Sequence, residues 1–195
     1  MTTSFGAHIS GWGFAAGSQV VTNDDLAHMG LDTSDEWIAS KTGIRQRHYA
    51  TETESTGTLA TAAGRAAIER AGIDPTDIDL LVVATCTPEQ PMPHTGAFVG
   101  EALGLRCGSF DLNTACSGFV YGLVSAAQFV HGGLRHVLVI GAETMSRITD
   151  PADRGTRVLF GDGAGAVVLG RHDGPSALLG WDLGCDGSAT GVLEM

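Results

Sequence analysis

The segment Asp111-Leu112-Asn113-Thr114-Ala115-Cys116-Ser117-Gly118-Phe119 holds the side chain with the most specific chemistry in this chain. Ahead of it, Ser109-Phe110-Asp111-Leu112 alternates polar and apolar residues and predicts a short strand. Behind it, residues 116–131 are rich in Ala, Leu and Val, with Phe119, Val120, Leu123, Val124 and Ala127 at helical spacing. Cys116 therefore falls at a strand-to-helix junction, its sulfur beside the positive end of a helix. Unpaired N–H groups there favour an anion, so a Cys116 thiolate is the expected nucleophile, and its chemistry is acyl transfer. The competing reading is a small buried cysteine at a tight turn.

Other reactive groups define what the chain does not offer. Cys86, Cys107, Cys116 and Cys185 lie far apart without a C-x-x-C pair. That pattern fits a reducing compartment better than a disulfide framework or a zinc site. The histidines and carboxylates show no metal-ligand spacing, so no metal is expected. Gly161-Asp162-Gly163-Ala164-Gly165 looks like a dinucleotide-binding loop, but Ala166-Val167-Val168-Leu169 behind it reads as a strand rather than a helix. A cysteine hydrolase would need a base and an orienting group, and no spacing identifies them.

The elements that must position Cys116 are legible as alternating strands and helices. Residues 5–14 read as a first strand, closed by Gly11, Gly13 and Gly17. Thr33-Ser34-Asp35-Glu36 is a capping-box pattern that starts a helix through Trp37 and Ile38, ended by Gly43. Residues 44–49 look extended, and residues 58–71 form an Ala-rich amphipathic helix stopped by Gly72 and Pro75. Leu80-Leu81-Val82-Val83 suits a buried central strand within residues 78–85. Residues 94–103 read as helix and 137–141 as another buried strand. Residues 157–160 and 164–169 read as two extended runs joined through Gly161-Asp162-Gly163 as a hairpin. The expectation is a mixed α/β layered fold with right-handed crossovers.

Composition sets the outer bounds. A chain of 195 residues, 43% hydrophobic and 17% charged, is long enough for one soluble domain with a sizeable core. Its 28 glycines are about twice the usual ~7%, which predicts tight turns and close backbone approaches. A formal net charge of −11 argues against a nucleic acid or an anionic membrane as partner. No apolar run approaches the ~18 residues of a membrane span, and no signal-peptide pattern opens the chain, so a cytoplasmic location is expected.

The nonapeptide around Cys116 resembles the active-site segment of β-ketoacyl-acyl-carrier-protein synthase III, in the thiolase superfamily. Two further segments carry the same resemblance in order and register: Asp32-Thr33-Ser34-Asp35-Glu36-Trp37-Ile38 with Thr42-Gly43-Ile44-Arg45, and Asp150-Pro151-Ala152-Asp153-Arg154-Gly155-Thr156 with Phe160-Gly161-Asp162-Gly163-Ala164-Gly165-Ala166. The resemblance implies a thiolase-like layered α-β-α-β-α fold of two similar α/β halves in a homodimer. It also implies acyl transfer from acyl-CoA to Cys116, then condensation with a malonyl group on an acyl carrier protein, as in fatty-acid or polyketide initiation. Coenzyme A would then be part of a substrate, with no separate cofactor.

By the same resemblance, Trp37 and Arg154 stack on the adenine of coenzyme A, gripping the purine from both faces, and Thr33 lies beside it. Lys41 stands where the family often has Arg, which keeps the charge but loses a planar two-pronged donor. Met92 falls where the family lines its acyl pocket across the dimer interface. The residues by themselves leave alternatives open: Trp37 packed on the core, Arg154 in a surface salt bridge, Met92 as a core filler.

The resemblance divides the chain at residues 1–175, a first half with the nucleophile, and 176–195, the first strand (177–183) of a second half. Leu178-Leu179-Gly180-Trp181-Asp182 echoes Ile9-Ser10-Gly11-Trp12-Gly13 in support of that division. The family's catalytic His and Asn are expected beyond residue 195. None of the seven histidines sits in a matching motif, and His94 is the nearest substitute. Two readings result, part of a longer enzyme or a truncated homologue that only binds an acyl group or coenzyme A. Within the enzyme reading, acyl transfer to an oxygen or nitrogen acceptor competes with condensation.

Overall fold

The apolar run Leu80-Leu81-Val82-Val83 forms the heart of the molecule, whose computed structural model describes residues 5–192. In chain order the strands are β1 (Gly6–Ala16), β2 (Gln19–Thr22), β3 (Gln46–Tyr49), β4 (Leu80–Ala84), β5 (Gly108–Leu112), β6 (His136–Thr144) and β7 (Asp162–His172). The α-helices are α1 (Asn23–His28), α2 (Asp35–Thr42), α3 (Thr56–Ala71), α4 (Thr95–Leu103), α5 (Gly118–His131) and α6 (Arg154–Arg157).

Five strands join in the order β1-β7-β6-β4-β5, and β2 pairs with β3 alone. β4 runs parallel to β5 and β6, whereas β7 is antiparallel to β6 and β1. Alternation along the strands divides the core between two faces. Leu81, Val83, Leu138, Ile140 and Val168 pack under α3 and α4. Val82, Val137, Val139 and Leu169 face Ala126, Ala127 and Val130 of α5. The result is an α-β-α sandwich with β4 and β6 buried on both sides. Each fully buried Val or Leu there contributes about 1.5–3 kcal/mol of burial free energy.

The small residues of β1 and α3 fit each other. A Cβ on Gly13 would lie 2.2 Å from Ala63 O, and one on Gly11 would lie 2.2 Å from Ala67 O. The Ala-rich face of α3 can therefore lie directly on β1. Ser55 caps α3 by accepting from Thr58 N–H, and Gly72 at φ +67° ends it. A third apolar cluster (Val21, Leu26, Leu31, Ile38, Tyr49 and Val158) seats α1 and α2 against β2 and β3.

Three expectations need correction. Gly161-Asp162-Gly163 is not a hairpin turn: Arg154–Arg157 is helical, and β7 begins at Asp162 between β1 and β6. The buried Asp162 carboxylate accepts from Ala50 N at 2.7 Å, from Ser146 N at 2.8 Å and from Ser146 Oγ. Those donors fix the entry of β7 and leave no free turn. Residues 177–183 form no strand. Ala177 N donates to Ala7 O at 2.8 Å, after which no ladder continues. A strand requires a neighbour's full edge, and this segment meets β1 only near its first residues. Finally, the cap of α2 is Ser34, which accepts from Trp37 N at 3.1 Å, rather than a box between Thr33 and Glu36.

Candidate active site

Cys116 sits just beyond β5, beside the C-terminal end of β4. Residues Ala115–Ser117 make a single 3-10 turn, and α5 starts at Gly118 rather than at Cys116. Ala115 adopts φ +47°, a left-handed conformation disfavoured for a residue with a Cβ. Such strain costs on the order of 1–3 kcal/mol and persists where the surroundings enforce it. Here Ala115 N donates to Asn113 Oδ1 at 3.1 Å and Ser117 N to Thr114 O at 3.2 Å. A Cβ on Gly118 would approach Ala84 Cβ to 3.2 Å, so the glycine lets α5 begin directly against β4. The turn leaves Cys116 exposed, which removes the buried-cysteine reading.

A second thiol lies behind it. Cys86 follows β4, and its N–H donates to Glu143 Oε1 at 2.8 Å. The other Glu143 oxygen accepts from Thr87 Oγ1, and from Thr85 Oγ1 at 3.4 Å. Burial first, then the Glu143 charge, pushes the Cys86 thiol up to about 11. Cys86 is therefore a protonated thiol at neutral pH, unsuited to be the nucleophile. Thr56 Oγ1 extends this polar cluster to Thr87 O at 2.7 Å and Thr144 Oγ1 at 2.9 Å. Sequence reasoning did not single out this cluster. Its signal was the polar Thr85, Thr87, Glu143 and Thr144 immediately after apolar strand cores.

His94 caps α4, and its Nε2 is 2.9 Å from Ser109 Oγ on β5. Beside it, Asp111 accepts from Thr95 N at 2.7 Å and Gly96 N at 2.8 Å. These bonds assign His94 to the α4–β5 contact. Among the described residues, no group of three or more His, Cys, Asp or Glu side chains is gathered to hold a metal.

A second candidate cluster joins α2 to α6. The Arg154 guanidinium lies 4.4 Å from the centroid of the Trp37 ring, and Nη1 donates to Asp32 O at 3.1 Å. Arg154 thus makes a cation–π contact and a backbone hydrogen bond, not the surface salt bridge considered above. Trp37 packs one side on the third apolar cluster and is only half-buried. At this separation no purine fits between the two groups. A base would stack outside the pair or displace the guanidinium. Thr33 Oγ1 beside them is buried with no partner among the described residues. Lys41 projects from the last turn of α2, one helical turn beyond Trp37, and is exposed. Met92 precedes α4 and is 83% exposed, so it is not a core filler.

Comparison with known proteins follows this geometry. Residues 110–187 match the family model described as 3-oxoacyl-[acyl-carrier-protein (ACP)] synthase III. The chain is 47% identical over 197 residues to the β-ketoacyl-[acyl-carrier-protein] synthase III of Caldanaerobacter subterraneus subsp. tengcongensis, covering 100% of this chain and 59% of that protein. The crystal structure of 3-oxoacyl-[acyl-carrier-protein] synthase III from Aquifex aeolicus VF5 superposes with a TM-score of 0.83 at 44% identity, over 87% of this chain and 55% of that one. The priming β-ketosynthase from the R1128 polyketide biosynthetic pathway gives a TM-score of 0.86 at 40% identity, over 90% of this chain and 53% of that one. The fold is thus the thiolase-like α/β fold of these enzymes. The chain spans little more than half the length of the relatives it matches.

Proposed function

We propose that this chain is the nucleophile-bearing N-terminal part of a β-ketoacyl-acyl-carrier-protein synthase III-type acyltransferase. The observation that carries the reading is the exposed Cys116 on a strained turn between a parallel strand and the helix that follows it. Its similarity to the named synthases over nearly its whole length supports the same conclusion.

In the proposed reaction the Cys116 thiolate attacks the carbonyl carbon of acyl-CoA. The new C–S bond forms as the bond to coenzyme A breaks, and coenzyme A leaves as a thiolate that takes up a proton. A malonyl-carrier protein then loses carbon dioxide, and the resulting enolate carbon attacks the acyl-Cys116 thioester. Cys116 is released as a thiolate. Cys86, held as a thiol, does not compete.

Trp37 and Arg154 are proposed to hold the adenine end of coenzyme A, with Thr33 and Lys41 beside them. Coenzyme A enters only as substrate, and no separate cofactor is invoked. The proposed partner is an acyl carrier protein, in the cytoplasm. Among the described residues no helix is long and apolar enough to cross a membrane. A homodimer is also proposed, because among the described residues β5 is paired on one edge only and Met92 stands exposed nearby in sequence, before α4. Incubating the full-length protein with labelled acyl-CoA and mapping the label tests the reading. Label on a peptide containing Cys116 supports it, and label elsewhere overturns it.

A further inference from the structure

The third apolar cluster encloses a charged side chain that the proposed reaction does not use. Arg47 on β3 is 6% exposed, yet no carboxylate contacts it among the described residues. Its guanidinium spends its donors on neutral oxygens: Nη1 donates to Val21 O at 3.3 Å, and Nη2 donates to Asn23 Oδ1 at 2.7 Å and to Val158 O at 3.1 Å. A buried cation is costly, and here Nε has no partner among the described residues, so the two Nη groups carry all of the compensating bonds.

The two acceptors on Nη2 lead to the two halves of the Trp37–Arg154 pair. Val158 is the residue that closes α6, the helix that Arg154 opens. Asn23 is fully buried, and its Nδ2 forks to Asp35 Oδ1 and Ile44 O, both at 2.8 Å. Asp35 is the first residue of α2, and Ile44 lies just past its Gly43 cap. One amide thus pins both ends of the helix that carries Trp37. One guanidinium nitrogen ties that amide to the helix that carries Arg154.

From this we infer that Arg47, acting through Asn23, is a positioning residue that holds α2 and α6 against each other and so sets the Trp37–Arg154 surface that meets the nucleotide of acyl-CoA. A planar fork can bridge two oxygens at fixed angles, whereas the ammonium of lysine cannot hold that geometry. The inference rests on the coenzyme A reading proposed above.

The test uses the full-length protein and two donors, an acyl-CoA and the matching acyl-pantetheine, which lacks the nucleotide. R47K keeps the charge and loses the bridging nitrogen. It should raise KM for acyl-CoA about fivefold or more, leaving KM for acyl-pantetheine and both kcat values near the parent. D35A keeps Arg47 but removes one arm of the Asn23 fork, so it should move KM in the same direction. R45A removes only the exposed pair to Asp35 and should move nothing. If R47K does not fold, the D35A and R45A comparison decides. Equal KM changes for both donors, or no change in either, would overturn the positioning role. The premise is tested separately: if W37A and R154A also fail to separate the two donors, the coenzyme A reading itself is wrong.

Discussion

The Arg154 guanidinium rests on the Trp37 ring at 4.4 Å, although 117 residues of sequence separate the two. Neither residue is anchored in the main sheet. Each belongs to a short helix whose cap is a single side chain, Ser34 for α2 and Asp153 for α6. The pair is therefore a product of tertiary packing, and it gives the coenzyme A reading its most specific consequence. W37A or R154A should each lower affinity for coenzyme A thioesters about 5- to 30-fold, the equivalent of ~1–2 kcal/mol. Affinity for short thioesters without the nucleotide should stay near the parent. Titration calorimetry with both ligand types checks this.

Cys86 should react late in an alkylation series. Burial and the Glu143 charge push its thiol up to about 11, so at pH 8 it is almost entirely protonated. Iodoacetamide at pH 8 should leave Cys86 unmodified while the exposed Cys116 and Cys185 are labelled. Cys86 labelling should rise only as the pH approaches its raised value. Peptide mass spectrometry across pH 7–11 reads the order directly, and early labelling of Cys86 would refute it.

Glu54 provides a pH-dependent tie between loops. Its carboxylate accepts from Ser18 N at 3.1 Å, Ser18 Oγ at 2.5 Å and Thr51 N at 2.8 Å, which lowers its pKa to about 2 from 4.5. The folded value lies below the unfolded one. The stabilisation is therefore complete above the unfolded value and is lost as pH falls through the folded one. E54Q should melt below the parent at pH 7. The gap in Tm should narrow below about pH 4.5 and close toward pH 2. A gap that is independent of pH would contradict this.

Ala115 at φ +47° predicts a gain from glycine. A115G relieves the left-handed strain, which outweighs the added freedom of the unfolded chain, and should stabilise the fold by about 1 kcal/mol. Thermal melts of A115G and A115V separate the two effects, since the β-branched residue should cost more than alanine. If A115V is as stable as the parent, the turn is not strained.

Much of this architecture was legible because it is written in local patterns. The run Leu80-Leu81-Val82-Val83 is apolar on both faces and became the central strand β4. Gly43 and Gly72 ended their helices at positive φ as their type predicts. Cys116 was placed beside a helix start because strand alternation and helical spacing meet there. What was not legible depends on distant partners. The entry of β7 is fixed by Asp162 holding Ala50 and Ser146, contacts that no window around Gly161-Asp162-Gly163 contains. The Glu143 cluster needs β4 and β6 as neighbours, and the Arg47–Asn23 bridge needs three segments at once. The left-handed turn at Ala115 had no signal at all, since alanine has no preference for that conformation.

The central claim, that Cys116 accepts the acyl group, is tested most directly by intact-protein and peptide mass spectrometry after incubation with acyl-CoA. The account predicts a single added acyl group, mapped to Cys116, that is discharged by hydroxylamine as a thioester. C116S should carry no label, with Cys86, Cys107 and Cys185 unmodified in both proteins. Acylation that persists in C116S, or that maps to another residue in the parent, would contradict it.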